Sequence, residues 1–109
     1  MTRSLLLLGA AFCLSAQNVY AQCTVDILNP PPSICLGQSY TINATPGADS
    51  YVWYADGTPI AGANTDVLTG LANTPGTILY EVEAHYNVCV AIDTTSMIVY
   101  GNHTTHCQQ

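Results

Sequence analysis

Basic residues are almost absent from this sequence. One arginine, Arg3, stands against seven acids in 109 residues, and charged residues make up only 7% of the chain. Phosphate contacts need cations, so nucleic acid is excluded as a partner class. An anionic membrane surface is excluded for the same reason. Lysine or arginine salt bridges are excluded too, which leaves burial, backbone hydrogen bonds and cross-links to hold the fold. Long apolar runs are also missing. Leu5–Leu14 falls short of the roughly 20 residues a membrane span needs, and no second run follows, so membrane insertion is not expected. No two cysteines lie within four residues of each other, so the spacing of a thiolate metal site is absent. No helical period survives beyond residue 21.

The segment that carries Arg3 has the layout of a secretory signal peptide. Arg3 supplies the positive flank, Leu5–Leu14 the apolar region and Val19-Tyr20-Ala21 the cleavage site, with a small residue at its end. Residues 1–21 are expected to be removed, leaving Gln22 to Gln109. Loss of Arg3 moves the formal charge from −6 to −7. Cys13 and Cys23 follow Phe12 and Gln22, neither of which is the small residue that lipid attachment wants. The expected product is secreted, extracellular or at the cell surface. It keeps Cys23, Cys35, Cys89 and Cys107, an even number that reads as disulfides in an exported chain. Four cysteines allow three pairings.

What remains is a series of short β-prone runs between turn signals. Thr24–Leu28 alternates until Pro30-Pro31-Pro32, which cannot donate to a ladder, so this first strand should be an edge or should break there. Ser39–Ala44 alternates, with Ile42 on its apolar side. Tyr51–Tyr54 is followed by Asp56-Gly57, a strong hairpin signal, and by a short return at Thr58–Ile60. Thr65–Leu71 is a weaker strand. Ile78–Tyr86 is the clearest, with Ile78, Tyr80, Val82 and Ala84 on one face and Glu81, Glu83 and His85 on the other. Thr94–Tyr100 is the last. Seven or eight such strands indicate an all-β sandwich, one domain over residues 22–101 with a polar tail at 102–109. Ile42, Trp53, Tyr80 and Val82 are its expected core.

Candidate chemistry is sparse. His85, His103 and His106 have no nucleophile motif beside them, so no catalytic residue is assigned. Glu81 and Glu83 lie about 7 Å apart along one strand face, which reads as a solvated face rather than a general acid–base pair. With His85 they form a column that could hold a metal ion only weakly. His103-Thr104-Thr105-His106-Cys107 lacks a fourth ligand and reads as a polar tail. Asp49, Asp56, Asp66 and Asp93 are all expected in turns, where aspartate serves backbone geometry rather than calcium. No metal and no cofactor are expected. Tyr54, Tyr86 and Tyr100 fit an exposed contact surface and edge or core packing equally well. Asn43-Ala44-Thr45 and Asn102-His103-Thr104 match the N-glycosylation pattern, which by itself carries little weight.

The order Ile34-Cys35-Leu36-Gly37-Gln38-Ser39-Tyr40-Thr41-Ile42, Tyr51-Val52-Trp53-Tyr54, Gly57, Ile60-Ala61-Gly62-Ala63, Gly76, Tyr80-Glu81-Val82, Cys89 and Ser96-Met97-Ile98-Val99 resembles a bacterial immunoglobulin-like module. It is similar to the immunoglobulin-like and PKD-like domains of large surface proteins and adhesins of gliding bacteria, over about residues 31–101. The resemblance implies an immunoglobulin-like antiparallel β-sandwich without catalysis. It would serve as a structural or adhesive unit, including a self-assembling subunit of an extracellular filament or surface matrix. The partners it implies are further copies of the chain or other surface proteins and glycans. A second reading is a soluble secreted protein that captures a carbohydrate or a metal ion through its loops. The resemblance also implies a first strand parallel to the last, which puts Cys23 near Cys89 and Cys35 near Cys107 at opposite poles. Bonds at the same poles between neighbouring subunits are the rival arrangement. Asp93-Thr94-Thr95 resembles an O-glycosylation sequon of bacteria that carry such modules, which makes Thr94 its acceptor.

Overall fold

The computed structural model describes residues 23–101 and Cys107. The signal segment, Asn102, His103 and His106 lie outside the described residues. Eight strands run in chain order: β1 (Ile27–Leu28), β2 (Ser33–Cys35), β3 (Ser39–Ala44), β4 (Ser50–Ala55), β5 (Thr58–Pro59), β6 (Val67–Leu71), β7 (Gly76–His85) and β8 (Val90–Tyr100). They form a three-stranded sheet in the order β1-β3-β6 and a five-stranded sheet in the order β2-β8-β7-β4-β5. The two sheets make a β-sandwich, and no helix is long and apolar enough to cross a membrane among the described residues.

Period-two sequence explains the long strands. Along β7 the even positions Tyr80, Val82 and Ala84 are buried and the odd positions face outward. The β4–β5 hairpin turns on Asp56 (φ 49°) and Gly57 (φ 85°), both left-handed, as a two-residue turn matched to strand twist requires. Ile42, Trp53 and Val82 are fully buried, with Tyr80, Leu68, Met97 and Val99 beside them. The Trp53 indole N–H donates to the Thr65 carbonyl at 2.8 Å, so its one polar atom is satisfied inside the core.

The first strand differs from the sequence expectation. Only Ile27–Leu28 of Thr24–Leu28 forms a strand, and it pairs antiparallel with β3. Asn29 turns left-handed (φ 45°) and the prolines end the ladder. The chain then changes sheets and resumes at β2, which lies parallel to β8. The Pro32 carbonyl accepts the Ile98 N–H at 3.0 Å, since proline can accept although it cannot donate. The parallel partner of the last strand is therefore Ser33–Cys35. Asp93 is a second correction. The Tyr86 N–H bonds the Cys89 carbonyl at 2.8 Å, which closes a tight turn, so β8 starts at Val90 and Asp93 falls inside it.

Two disulfides close the ends of the sandwich. Cys23 joins Cys89 with Cα atoms 6.2 Å apart, and Cys35 joins Cys107 at 5.7 Å. Both are within one chain. The β7–β8 register brings His85 opposite Val90 at the Cys89 end, and β2 brings Cys35 opposite Tyr100 at the other.

Candidate functional site

The outward side of the five-stranded sheet carries the acidic column. Glu81, Glu83 and His85 alternate with the buried residues of β7. Strand register places Tyr54 and Thr94 on either side of Glu81, and Val52 and Ile92 on either side of Glu83. The His85 ring nitrogen Nε2 and the Glu83 Oε1 are 3.1 Å apart, so the acid–base contact here uses a histidine. Partial burial holds the Tyr54 hydroxyl above its ordinary pKa, and the neighbouring Glu83 and Glu81 carboxylates add to the effect. Among the described residues no three His, Cys, Asp or Glu side chains gather to hold a metal. Thr94 is exposed on this face.

A cleft of about 390 Å³ opens at the Cys35–Cys107 end, lined by Tyr40, Tyr80, Asp56, Asn73 and Thr74 among others. Tyr40 of the three-stranded sheet meets Tyr80 of the five-stranded sheet with ring centroids 5.5 Å apart at 48°. Burial, hydrogen bonding to Tyr40 and the nearby Asp56 push the Tyr80 hydroxyl well above its ordinary pKa. The pair was not singled out in the sequence. Its signal is Gly70, a glycine inside a strand, which marks a close approach. A Cβ there would run into the Tyr40 phenol ring.

Asp56 is committed to its turn, where Oδ1 accepts the Leu79 N–H at 2.9 Å. Asp93 also has a structural task, accepting the Ile27 N–H at 2.8 Å and the Thr94 N–H at 2.9 Å. Tyr86 is a tie, with its hydroxyl donating to the Thr24 carbonyl at 2.8 Å. Asn43 is exposed on β3.

No protein-family model and no curated protein matches the chain. Solved structures do. The fibronectin(III)-like modules of Clostridium thermocellum CbhA align with a TM-score of 0.59 at 15% identity, covering 71% of this chain and 96% of theirs. A Dscam structure concerned with isoform specificity aligns at 0.58 and 16% identity, covering 70% of this chain and 20% of that one. The N-terminal four immunoglobulin domains of Dscam1 isoform 4.44 give the same figures. The fold is immunoglobulin-like. This immunoglobulin-like chain spans about a fifth (20%) of the Dscam structures it matches, and the likeness at these identities is one of fold.

Proposed function

We propose that this chain is a non-catalytic extracellular module whose task is structural or adhesive, with further copies or other surface proteins and glycans as its partners. The observation that carries the reading is the placement of the two disulfides. Each ties the first thirteen described residues to a later part of the chain, across sequence separations of 66 and 72 residues. A pull between Cys23 and Cys107 is therefore carried by the twelve residues from Cys23 to Cys35 and then a covalent bond. The core strands β3 to β7 lie inside closed loops and are never extended. Such a module resists stretching even if its hydrogen bonds fail. Export to an oxidising compartment, which these bonds require, agrees with the expected signal segment.

Force spectroscopy on tandem copies tests this. At about 3.5 Å per residue, oxidised modules should lengthen by no more than about 40 Å each. Reduced modules should release roughly 300 Å. Equal extension in both states would remove the mechanical reading.

A second reading, capture of a carbohydrate through the loops, is favoured by the cleft at the Tyr40–Tyr80 pair. Its volume of about 390 Å³ lies within the usual range of ligand pockets. Calorimetry against a panel of glycans, with Asn73→Ala as the control, separates the two.

A further inference from the structure

We propose that β6 pairs edge to edge, antiparallel, with β6 of a second copy of this chain. The inference deepens the structural-module reading by naming the surface through which copies meet. The free strand edges differ in length and in protection. β1 and β5 are two residues long, and β5 ends in Pro59. β2 has three residues and follows three prolines. The stretch of β8 beyond β2 carries Asp93, whose carboxylate takes the edge-directed Thr94 N–H and fastens Ile27 alongside. Short length, proline and inward charge are the usual protections against unwanted strand pairing. β6 has five residues, Val67-Leu68-Thr69-Gly70-Leu71, with no proline and no charge.

The backbone of β6 is open at Thr69 and Leu71. Ala44 N–H bonds the Asp66 carbonyl and Ala72 N–H bonds the Gln38 carbonyl. This parity points Asp66, Leu68, Gly70 and Ala72 at β3, and Val67, Thr69 and Leu71 outward. Thr65 holds both edge groups of Val67, its Oγ1 accepting the Val67 N–H at 3.3 Å and donating to the Val67 carbonyl at 3.2 Å, so Val67 joins a new ladder only by exchanging these two exposed bonds. Thr69 and Leu71 keep their edge groups without a partner among the described residues. No strand links β5 to β6, and a cleft of about 170 Å³ lies between Ile60–Ala63 and the edge at Val67–Thr69.

The sequence of β6 is complementary to itself. A two-fold axis at Thr69 sets Thr69 opposite Thr69 and Val67 opposite Leu71. The threonine pair and the apolar pairs are both favourable across strands. Val67 and Leu71 are 38% and 59% exposed in the single chain, so each gains cover. Charge favours the same face. Seven acids against one arginine give copies of this chain a mutual repulsion. Glu81 and Glu83 lie on the far side of the other sheet, whereas Ser39, Thr41 and Asn43 of β3 stand beside β6 on its outward face. Asp26 lies at the far edge, before β1, and Asp66 immediately precedes β6; the axis at Thr69 sets the two copies of Asp66 at opposite ends of the paired strands, about 20 Å apart. A two-fold contact closes on itself and yields a dimer, so a filament would need a second contact. Five-residue strands bury less than the roughly 1,200 Å² of a standard interface, so the pairing belongs to high local concentration.

The test uses the protein made from its full sequence. Sedimentation should show a dimer that grows with concentration, and Thr69→Pro should raise its dissociation constant at least tenfold. Thr69 has no bond to β3 to lose, and the retained disulfides and circular dichroism check its folding. Thr69→Cys should give a reducible dimer in oxidised glutathione, at least tenfold more than Thr41→Cys, which sits one strand inward. The axis would put the two introduced sulfurs opposite each other. Equal cross-linking of the two cysteine variants would overturn the proposal. So would a chain that stays monomeric, or a dimer indifferent to Thr69→Pro. Each of these would leave the covalent limit on stretching standing, because that limit belongs to one chain.

Discussion

The Asp93 carboxylate of β8 holds the backbone of Ile27 across the side of the sandwich, at 2.8 Å. A second oxygen takes the N–H of Thr94. One side chain thus fastens the two-residue β1 and blocks an edge donor on the longest strand. Asp93→Ala should cost about 1–3 kcal/mol, the usual penalty for stranding bonded polar groups, measured as a lower urea midpoint. Asp93→Asn keeps one acceptor oxygen and should cost less. Equal stability of all three would remove the staple.

Gly70 and Tyr40 make the second prediction. Tyr40 leans over Gly70 and onto Tyr80, so Gly70→Ala forces the ring from its place. Overpacking of this kind costs about 1–3 kcal/mol. Tyr40→Leu shortens the side chain, so the double variant Gly70→Ala/Tyr40→Leu should lose less than the sum of the two single changes. Additive losses would show that the two residues do not compete for the space.

Tyr80 predicts the behaviour in alkali. Its hydroxyl stays protonated in the folded chain above the pH at which an unfolded tyrosine ionises, because burial and the bond to Tyr40 disfavour the charge. A raised acid gives stability that is complete below the unfolded value of about 10 and is lost as pH climbs beyond it. The melting temperature should therefore fall above about pH 10, and Tyr80→Phe should flatten that fall. An unchanged slope in Tyr80→Phe would assign alkaline loss to other groups.

These relationships differ in how far they could be read from the sequence. β3, β4 and β7 are legible because alternation and a two-residue turn are local signals, and Ile42, Trp53 and Val82 follow from them. β2 is not legible, since three residues behind three prolines carry no period. Asp93 reads as a turn residue by composition, yet the length of β7 requires a partner strand through it. The Tyr40–Tyr80 contact depends on how two sheets dock, which no single strand encodes. The open edge of β6 is likewise a product of pairing order. The acidic column of Glu81, Glu83 and His85 was legible as one face, but its neighbours Tyr54 and Thr94 come from register.

The last prediction concerns the two disulfides together. Each closes a loop of 66 or 72 residues, worth roughly 4 kcal/mol alone by loop entropy. They are not independent in the unfolded chain. With Cys23–Cys89 formed, Cys35 and Cys107 are linked by a path of twelve residues (23 to 35) and eighteen (89 to 107). Closing that shorter path is worth only about 3.5 kcal/mol. Removing either bond, by Cys23→Ser/Cys89→Ser or Cys35→Ser/Cys107→Ser, should therefore cost about 3–4 kcal/mol. Removing both should cost about 8 kcal/mol, more than the sum of the separate losses. A small domain has about 5–15 kcal/mol in all, so the singly bonded forms should fold and the form with neither should be largely unfolded. Urea titration of the three variants measures each step. A fold that survives loss of both bonds with less than about 3 kcal/mol removed would show that the core, and not the cross-links, holds this sandwich.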